Sequence, residues 1–148
     1  MKPRSQRLLP AVDQAHRNSE AALRQLGEQQ DRLATAERQL AELRRYREEY
    51  ALGRHAGGMS VHALLNRQQF VDRIDGAISQ QLGEVARRQR LLDQAGQAWR
   101  EAHARERALG SVVERASELE RASEERHEQN AIDERMQHRV PSGRRHSS

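Results

Sequence analysis

The sequence predicts an all-α protein, a long antiparallel two-helix coiled-coil hairpin whose second helix is longer than its first. Composition is one reason: 35% of the 148 residues are hydrophobic, 3% are aromatic and 32% are charged, as in long helices rather than compact cores. Spacing is the other, because apolar residues recur alternately four and three positions apart on both sides of a Gly-Gly pair. Together they predict two helices that pair along an apolar seam and are joined by a turn.

The first helix is predicted over residues 10–53, and residues 1–9 are expected to form a frayed basic N-terminus. Pro10 fits the first turn of a helix, where its missing N–H costs nothing, whereas deeper inside it would force a kink. Ten of the thirteen heptad positions are apolar, which predicts a seam facing the second helix. These positions are Leu8, Val12, Ala15, Ser19, Ala22, Leu26, Gln29, Leu33, Ala36, Leu40, Leu43, Arg47 and Tyr50.

The turn is predicted at residues 54–59, where two consecutive glycines allow positive φ angles. The second helix is predicted over residues 60–136, with Ser60 as its N-cap, and the basic, small and polar residues 137–148 are expected to be disordered. Eleven of the fourteen seam positions in this helix are apolar. These positions are Val71, Ile74, Ile78, Gln81, Val85, Arg88, Leu92, Ala95, Trp99, Ala102, Glu106, Leu109, Val113 and Ala116.

The two predicted helices differ in length. At a rise of 1.5 Å per residue they span roughly 70 and 110 Å. Folding back from the turn is expected to place Leu43 near Val71 and Ala15 near Trp99, so that residues 109–136 overhang as a single helix. An apolar stripe on this overhang has no expected partner within the chain, and it is either a frayed end or a surface that binds another protein. The stripe consists of Leu109, Val112, Val113, Ala116 and Leu119.

The heptad assignment places a further set of residues on one side of the hairpin near its turn. Three of the four aromatic residues of the chain belong to this set. Aromatic side chains on an exposed flank of a charged protein are typical of a protein-binding hot spot. The alternative is that Tyr46 and Phe70 pack against each other to thicken a thin core. This aromatic flank consists of Gln39, Leu43, Tyr46, Tyr50, Phe70, Ile74, Ala77 and Gln81.

The sequence lacks the residue patterns on which most catalytic and metal sites depend. There is no cysteine, which excludes disulfides and thiolate sites, and His55 and His62 lie on either side of the turn without a cluster of further ligands. There is no phosphate-binding GxxxxGK[ST] motif and no obvious pair of buried carboxylates. We therefore expect a protein that is not an enzyme and has no cofactor, metal or small-molecule substrate.

The charges and hydropathy of the chain suggest a cytoplasmic protein. A membrane-spanning helix needs about 18 consecutive apolar residues, and no apolar run in the chain approaches this length. The net charge is +4, but acidic and basic residues alternate along the helices, which is typical of a solvated, ion-paired surface. A nucleic-acid-binding coiled coil would instead concentrate its basic residues on one stripe. A scaffold that self-associates through the stripe at residues 109–119 is a third reading.

Three segments resemble the FliJ family of bacterial flagellar export proteins: RRYREEY (Arg44–Tyr50), NRQQFVDRIDGAISQQ (Asn66–Gln81) and AWREA (Ala98–Ala102). The resemblance covers most of the chain and implies the same helical hairpin. It also implies a non-enzymatic stalk that inserts into the hexameric export ATPase FliI and links it to the membrane export gate FlhA. Recycling of export chaperones is a further role associated with the family.

The resemblance also implies where the partners bind. The aromatic flank matches the gate-binding cluster of the family, with Gln81 in place of a histidine of some members and Ile74 in place of a leucine. The stripe on the overhang is assigned to the ATPase ring, and the protein is expected at the inner membrane of the flagellar base, as a peripheral component. The closest alternative is the stalk of a non-flagellar type III secretion system.

Overall fold

Two long α-helices make up the computed structural model, which describes residues 2–52 and 60–144, with side chains described for residues 2–51 and 60–138. Helix α1 covers Arg4–Leu52 and helix α2 covers Val61–Arg144. The two helices pack against each other, which confirms the predicted all-α two-helix hairpin. The predicted turn at residues 54–59 lies outside the described residues.

Helix α1 begins at Arg4, before the predicted start at residue 10, so the structure corrects the expectation that the preceding residues are frayed. The amide of Arg7 donates to the carbonyl of Pro3 at 3.1 Å and so closes the first turn. The N–H and the hydroxyl of Ser5 both donate to the carboxylate of Glu120 on α2, at 3.1 and 2.6 Å. Pro10 therefore lies inside the helix, and contacts with α2 hold the turns that precede it.

Helix α2 begins as predicted and ends later than predicted. The hydroxyl of Ser60 accepts a hydrogen bond from the amide of Ala63 at 3.2 Å, which confirms Ser60 as the N-cap. The helix continues to Arg144, so that residues 137–144 are helical rather than disordered. Residues 145–148 lie outside the described part of the chain.

The chain divides into two compact units. The inner unit is Ser19–Ala102, and the outer unit combines Met1–Asn18 with His103–Ser148. Among the described side chains, every predicted seam position of both helices except Arg47 is buried or half-buried. The predicted heptads therefore identify the core of each unit correctly. The buried hydrophobic residues are Leu33, Ala36, Leu40, Val71 and Ile74 in the inner unit and Ala15 and Ala116 in the outer unit.

The register of the two helices differs from the predicted one. In the inner unit Arg47 pairs with Asp75. In the outer unit His16 lies 2.8 Å from Glu106, one heptad beyond the pairing of Ala15 with Trp99 that was predicted. The predicted register is therefore wrong by one heptad. A seven-residue repeat looks the same after a shift of one heptad, so apolar spacing alone does not distinguish the two alignments.

Candidate protein-binding surfaces

The aromatic flank carries one ring pair between the two helices of the inner unit. The rings of Tyr50 on α1 and Phe70 on α2 have centroids 4.5 Å apart and are tilted by 30°. Phe70 remains 41% exposed and Tyr46 is 56% exposed. The ring that packs on Phe70 is thus Tyr50, while Tyr46 presents most of its surface to solvent. The flank combines a supported aromatic side chain with an exposed one, as binding hot spots do.

The other members of the flank differ in exposure. Ile74 is buried in the core of the inner unit. Its side chain packs between the helices and is not available to a partner. Gln39 is exposed. The remaining members are half-buried: Leu43, Tyr50, Ala77 and Gln81.

Gln81 ties α2 to α1 on this flank. Its Nε2 donates to the backbone carbonyl of Ala36 at 2.9 Å and to Oε1 of Gln39 at 3.1 Å. A half-buried amide that meets such acceptors loses little of its hydrogen bonding on leaving water. Because an amide does not ionise near neutral pH, these contacts do not respond to protonation as a histidine at this position would.

An ion pair joins the helices near the aromatic pair. Nε of Arg47 donates to Oδ1 of Asp75, and Nη2 lies 3.5 Å from Oδ2. The hydrogen bond to Asp75, followed by its negative charge, raises the pKa of Arg47 above its ordinary value. Arg47 occupies a seam position but remains exposed, because its guanidinium reaches out to a carboxylate at the edge of the seam.

The first turns of α2 carry an apolar patch that the sequence interpretation missed. Val61, Leu64 and Leu65 are all exposed, Val61 by 74%. They line a shallow groove with Arg67 and Gln68. Their spacing of three and four residues was a usable signal, but these residues were assigned only to the start of a helix.

The stripe predicted on the overhang is largely covered. Leu109 and Val113 are half-buried and Ala116 is buried, whereas Val112 and Leu119 are exposed, Leu119 by 68%. The expectation of a stripe without a partner in the chain is therefore corrected. The physical reason is the early start of α1 together with the shift of register, which brings its first turns to residues 112–120 of α2. An open groove remains, lined by Arg4, Val112, Arg115, Ala116, Leu119 and Glu120.

Beyond Glu120 the surface of α2 changes character. Every residue with a described side chain from 121 to 138 is exposed, Ile132 and Met136 included. The overhang therefore begins near residue 121 rather than at residue 109. This exposed extension of α2, residues 121–138, carries many charges and few apolar side chains.

Polar contacts hold the outer unit together. The hydroxyl and the amide of Ser5 donate to the carboxylate of Glu120 and lower its pKa. Nδ1 of His16 lies 2.8 Å from Oε1 of Glu106, a half-buried carboxylate at a seam position. In the outer unit, the carboxylates of Glu106 and Glu120 thus have partners on α1.

The described residues offer no metal site and no membrane-spanning helix. Within residues 2–52 and 60–138, no three His, Asp or Glu side chains converge as metal ligands would. The helical residues that can be described include no stretch long and apolar enough to cross a membrane. His55 lies outside this part of the chain.

Comparison with known proteins identifies the family. The family model described as "FliJ: Flagellar FliJ protein" matches residues 4–145. The chain is also 31% identical over 125 residues to the Flagellar FliJ protein of Escherichia coli (strain K12), a match that covers 82% of this chain and 85% of the relative. The chain therefore belongs to the FliJ family of flagellar export proteins.

Proposed function

We propose that the chain is a non-enzymatic stalk of the flagellar export apparatus, which inserts into the ring of the export ATPase FliI and contacts the export gate FlhA. The observation that carries this proposal is the aromatic flank: exposed Tyr46 and Phe70, on the two packed helices of the inner unit, on an otherwise charged surface. A binder of this kind needs a helical scaffold and a few aromatic anchors, not a catalytic cleft. Both are present in the inner unit.

The gate contact divides the flank into direct and supporting residues. Tyr46, Phe70 and Gln39 are exposed and meet the gate directly. Tyr50 stacks on Phe70 and holds its ring in place, which lowers the entropy lost on binding. Ile74 acts from the core and is expected to affect binding only through stability.

The ATPase contact falls to the outer unit and the exposed extension of α2. Val112 and Leu119 remain exposed next to Arg4, and residues 121–138 present their whole surface. A helix exposed all round can be enclosed by a ring of subunits without first separating from α1. We therefore propose that the ring contacts Val112, Leu119 and the extension rather than the buried Ala116.

In this proposal the protein works in the cytoplasm, at the inner membrane of the flagellar base, as a peripheral component. It takes no cofactor and converts no substrate. Export chaperones are further partners, and no described surface is assigned to them.

Titration of the purified FlhA cytoplasmic domain with the full chain tests the gate contact. Phe70→Ala and Tyr46→Ala are expected to weaken binding by about tenfold or more, the loss typical of an aromatic hot spot. Leu23→Ala is the matched control, because Leu23 is an exposed large side chain of the inner unit outside the flank. Circular dichroism should remain strongly helical for all three variants. Unchanged binding would refute the gate contact, and helicity lost together with binding would make the rings part of the core.

Truncation after residue 120 tests the ring contact. It removes the exposed extension but keeps Glu120 and its contacts with Ser5. We expect weaker association with the ATPase hexamer and unchanged association with the gate. Unchanged ring binding would show that the extension is not the part that enters the ring.

A further inference from the structure

The apolar seam of the inner unit is compatible with more than one register. In the alignment shifted by one heptad, Leu43 would face Val71, which is as apolar a pairing as any in the observed one. Heptad spacing is identical in both alignments, and coiled coils distinguish such states through polar or charged side chains near the seam. The polar contacts between the helices are therefore the place to look for what selects the register.

One such contact lies beside the aromatic pair. Arg47 precedes Tyr50 by one helical turn, and its partner Asp75 follows Phe70 on α2. The ion pair and the ring pair are thus formed by the same two short segments. An alignment that forms one of them forms the other.

The shifted register would reverse the electrostatics at Arg47. A shift of one heptad puts Gln68 in the place of Asp75 and brings the neighbouring Arg67 towards Arg47, so that two guanidinium groups would lie near each other. Like charges that oppose each other across a helix pair are unfavourable, and coiled coils use them to exclude wrong alignments. The same arginine therefore favours one register and opposes the other.

We propose that Arg47 and Asp75 are positioning residues that select the register in which Tyr50 supports Phe70. The proposal rests on the proposed gate contact for its biological role, but the selection of register does not depend on it. A slip of one heptad displaces one helix along the other by about 10 Å, which would separate the two rings and dismantle the aromatic flank. Gln81 supports the same register further along α2, through its bonds to Ala36 and Gln39.

The pair is half-exposed, so its effect on overall stability is expected to be small. Its importance lies in the choice between two alignments that the heptad repeat itself does not distinguish. A modest electrostatic preference is enough to decide between states of similar energy.

Charge reversal tests the proposal in two measurements. Asp75→Arg places an arginine near Arg47 in both alignments, so it removes the preference for the observed register and should weaken binding to the FlhA cytoplasmic domain by about twofold or more. The triple variant Arg47→Asp/Arg67→Asp/Asp75→Arg restores attraction in the observed register and repulsion in the shifted one, so it should recover the binding of the unchanged chain. Asp72→Arg is the matched control, because it changes the net charge equally on the same helix while Asp72 bonds Gln68 instead.

The register itself can be measured without any partner. The chain has no cysteine, so cysteines introduced at exposed positions 37 and 82, one on each helix of the inner unit, carry nitroxide labels selectively. Asp75→Arg should move or broaden the label distance by up to about 10 Å, and the triple variant should restore it.

The outcomes separate the two proposals. An unchanged label distance in Asp75→Arg would overturn the selection of register, and if binding were lost at the same time, Asp75 would be a direct contact with the gate. A changed distance that the triple variant restores supports the selection of register. If the unchanged chain does not bind the gate domain at all, the proposed function fails, while the label distances still decide the register.

Discussion

The inner and outer units use the same heptad repeat but bury different residues. The inner unit buries leucine, valine and isoleucine, including Leu33, Leu40 and Val71, whereas the buried hydrophobic residues described in the outer unit are Ala15 and Ala116. Burial of a large aliphatic side chain contributes about 1.5–3 kcal/mol, and alanine contributes far less. One seven-residue repeat thus specifies a segment that buries large aliphatic side chains and a segment that buries alanines.

Polar contacts have different roles in the two units. In the outer unit the pairs Ser5–Glu120 and His16–Glu106 take the place of missing apolar burial. In the inner unit the core is already apolar, and the pair Arg47–Asp75 is proposed to select the register of the two helices. We expect a stable platform for the aromatic flank and a more easily opened outer unit, an arrangement that suits the proposed stalk and its two proposed partners.

The largest expected effect is the loss of a seam leucine in the inner unit. Leu40→Ala should lower the free energy of unfolding by about 2–4 kcal/mol, because it removes a buried side chain and leaves a cavity. Leu23→Ala, at an exposed position of the same helix, should cost well under half as much. Urea denaturation followed by circular dichroism measures both. Equal losses would mean that the seam does not carry the stability of the inner unit.

Acidification should loosen the outer unit at its first turns. The hydrogen bonds from Ser5 lower the pKa of Glu120 below its ordinary value of 4.5, so their stabilising effect is fully present above that pH. The effect disappears as the pH falls through the lowered pKa and the carboxylate takes up a proton.

The measurement is the NMR signal of the Ser5 amide as a function of pH. Glu120→Gln should remove the acid transition of this signal and release the first turn at neutral pH. Glu124→Gln, at an exposed position, should leave the transition in place. A transition that survives in Glu120→Gln would contradict the assignment.

Smaller increases in stability are expected when glycines inside the helices are replaced with alanine. A Cβ at Gly83 would meet nothing within 4 Å, so Gly83→Ala should raise the free energy of unfolding by about 0.5–1 kcal/mol through helix propensity alone. A Cβ at Gly96 would meet Cδ1 of Leu26 at 3.9 Å and Nη1 of Arg100 at 3.4 Å, and the flexible arginine can move. Gly96→Ala should therefore raise the free energy of unfolding by at least as much as Gly83→Ala. A loss of stability in thermal unfolding of Gly96→Ala would mean that α1 lies closer to Gly96 than described.

The sequence predicted the helices and their seam because both depend on local spacing. The start of α1 was missed, since it depends on a contact between Ser5 and Glu120, 115 residues apart in the chain. The register was missed because a heptad repeat is unchanged by a shift of one heptad. Charge could have corrected it, since the predicted alignment brings Arg47 towards Arg67.

The candidate site was predicted in part. The heptad assignment correctly placed Tyr46 and Phe70 at exposed positions, but it also placed Ile74 on the flank, although a d position faces the core. The exposed patch at Val61, Leu64 and Leu65 escaped notice because exposure at the start of a helix depends on where the partner helix ends.

Hydrogen exchange of the full chain, alone and with each partner, tests the central claim most directly. Alone, amides of the inner unit should exchange more slowly than those of the outer unit, and residues 121–138 should exchange fastest. The FlhA domain should protect residues 39–50 and 70–81, and the FliI hexamer should protect residues 109–138. The account would be contradicted if both partners protected the same segment. It would also be contradicted if the partners protected none of these residues.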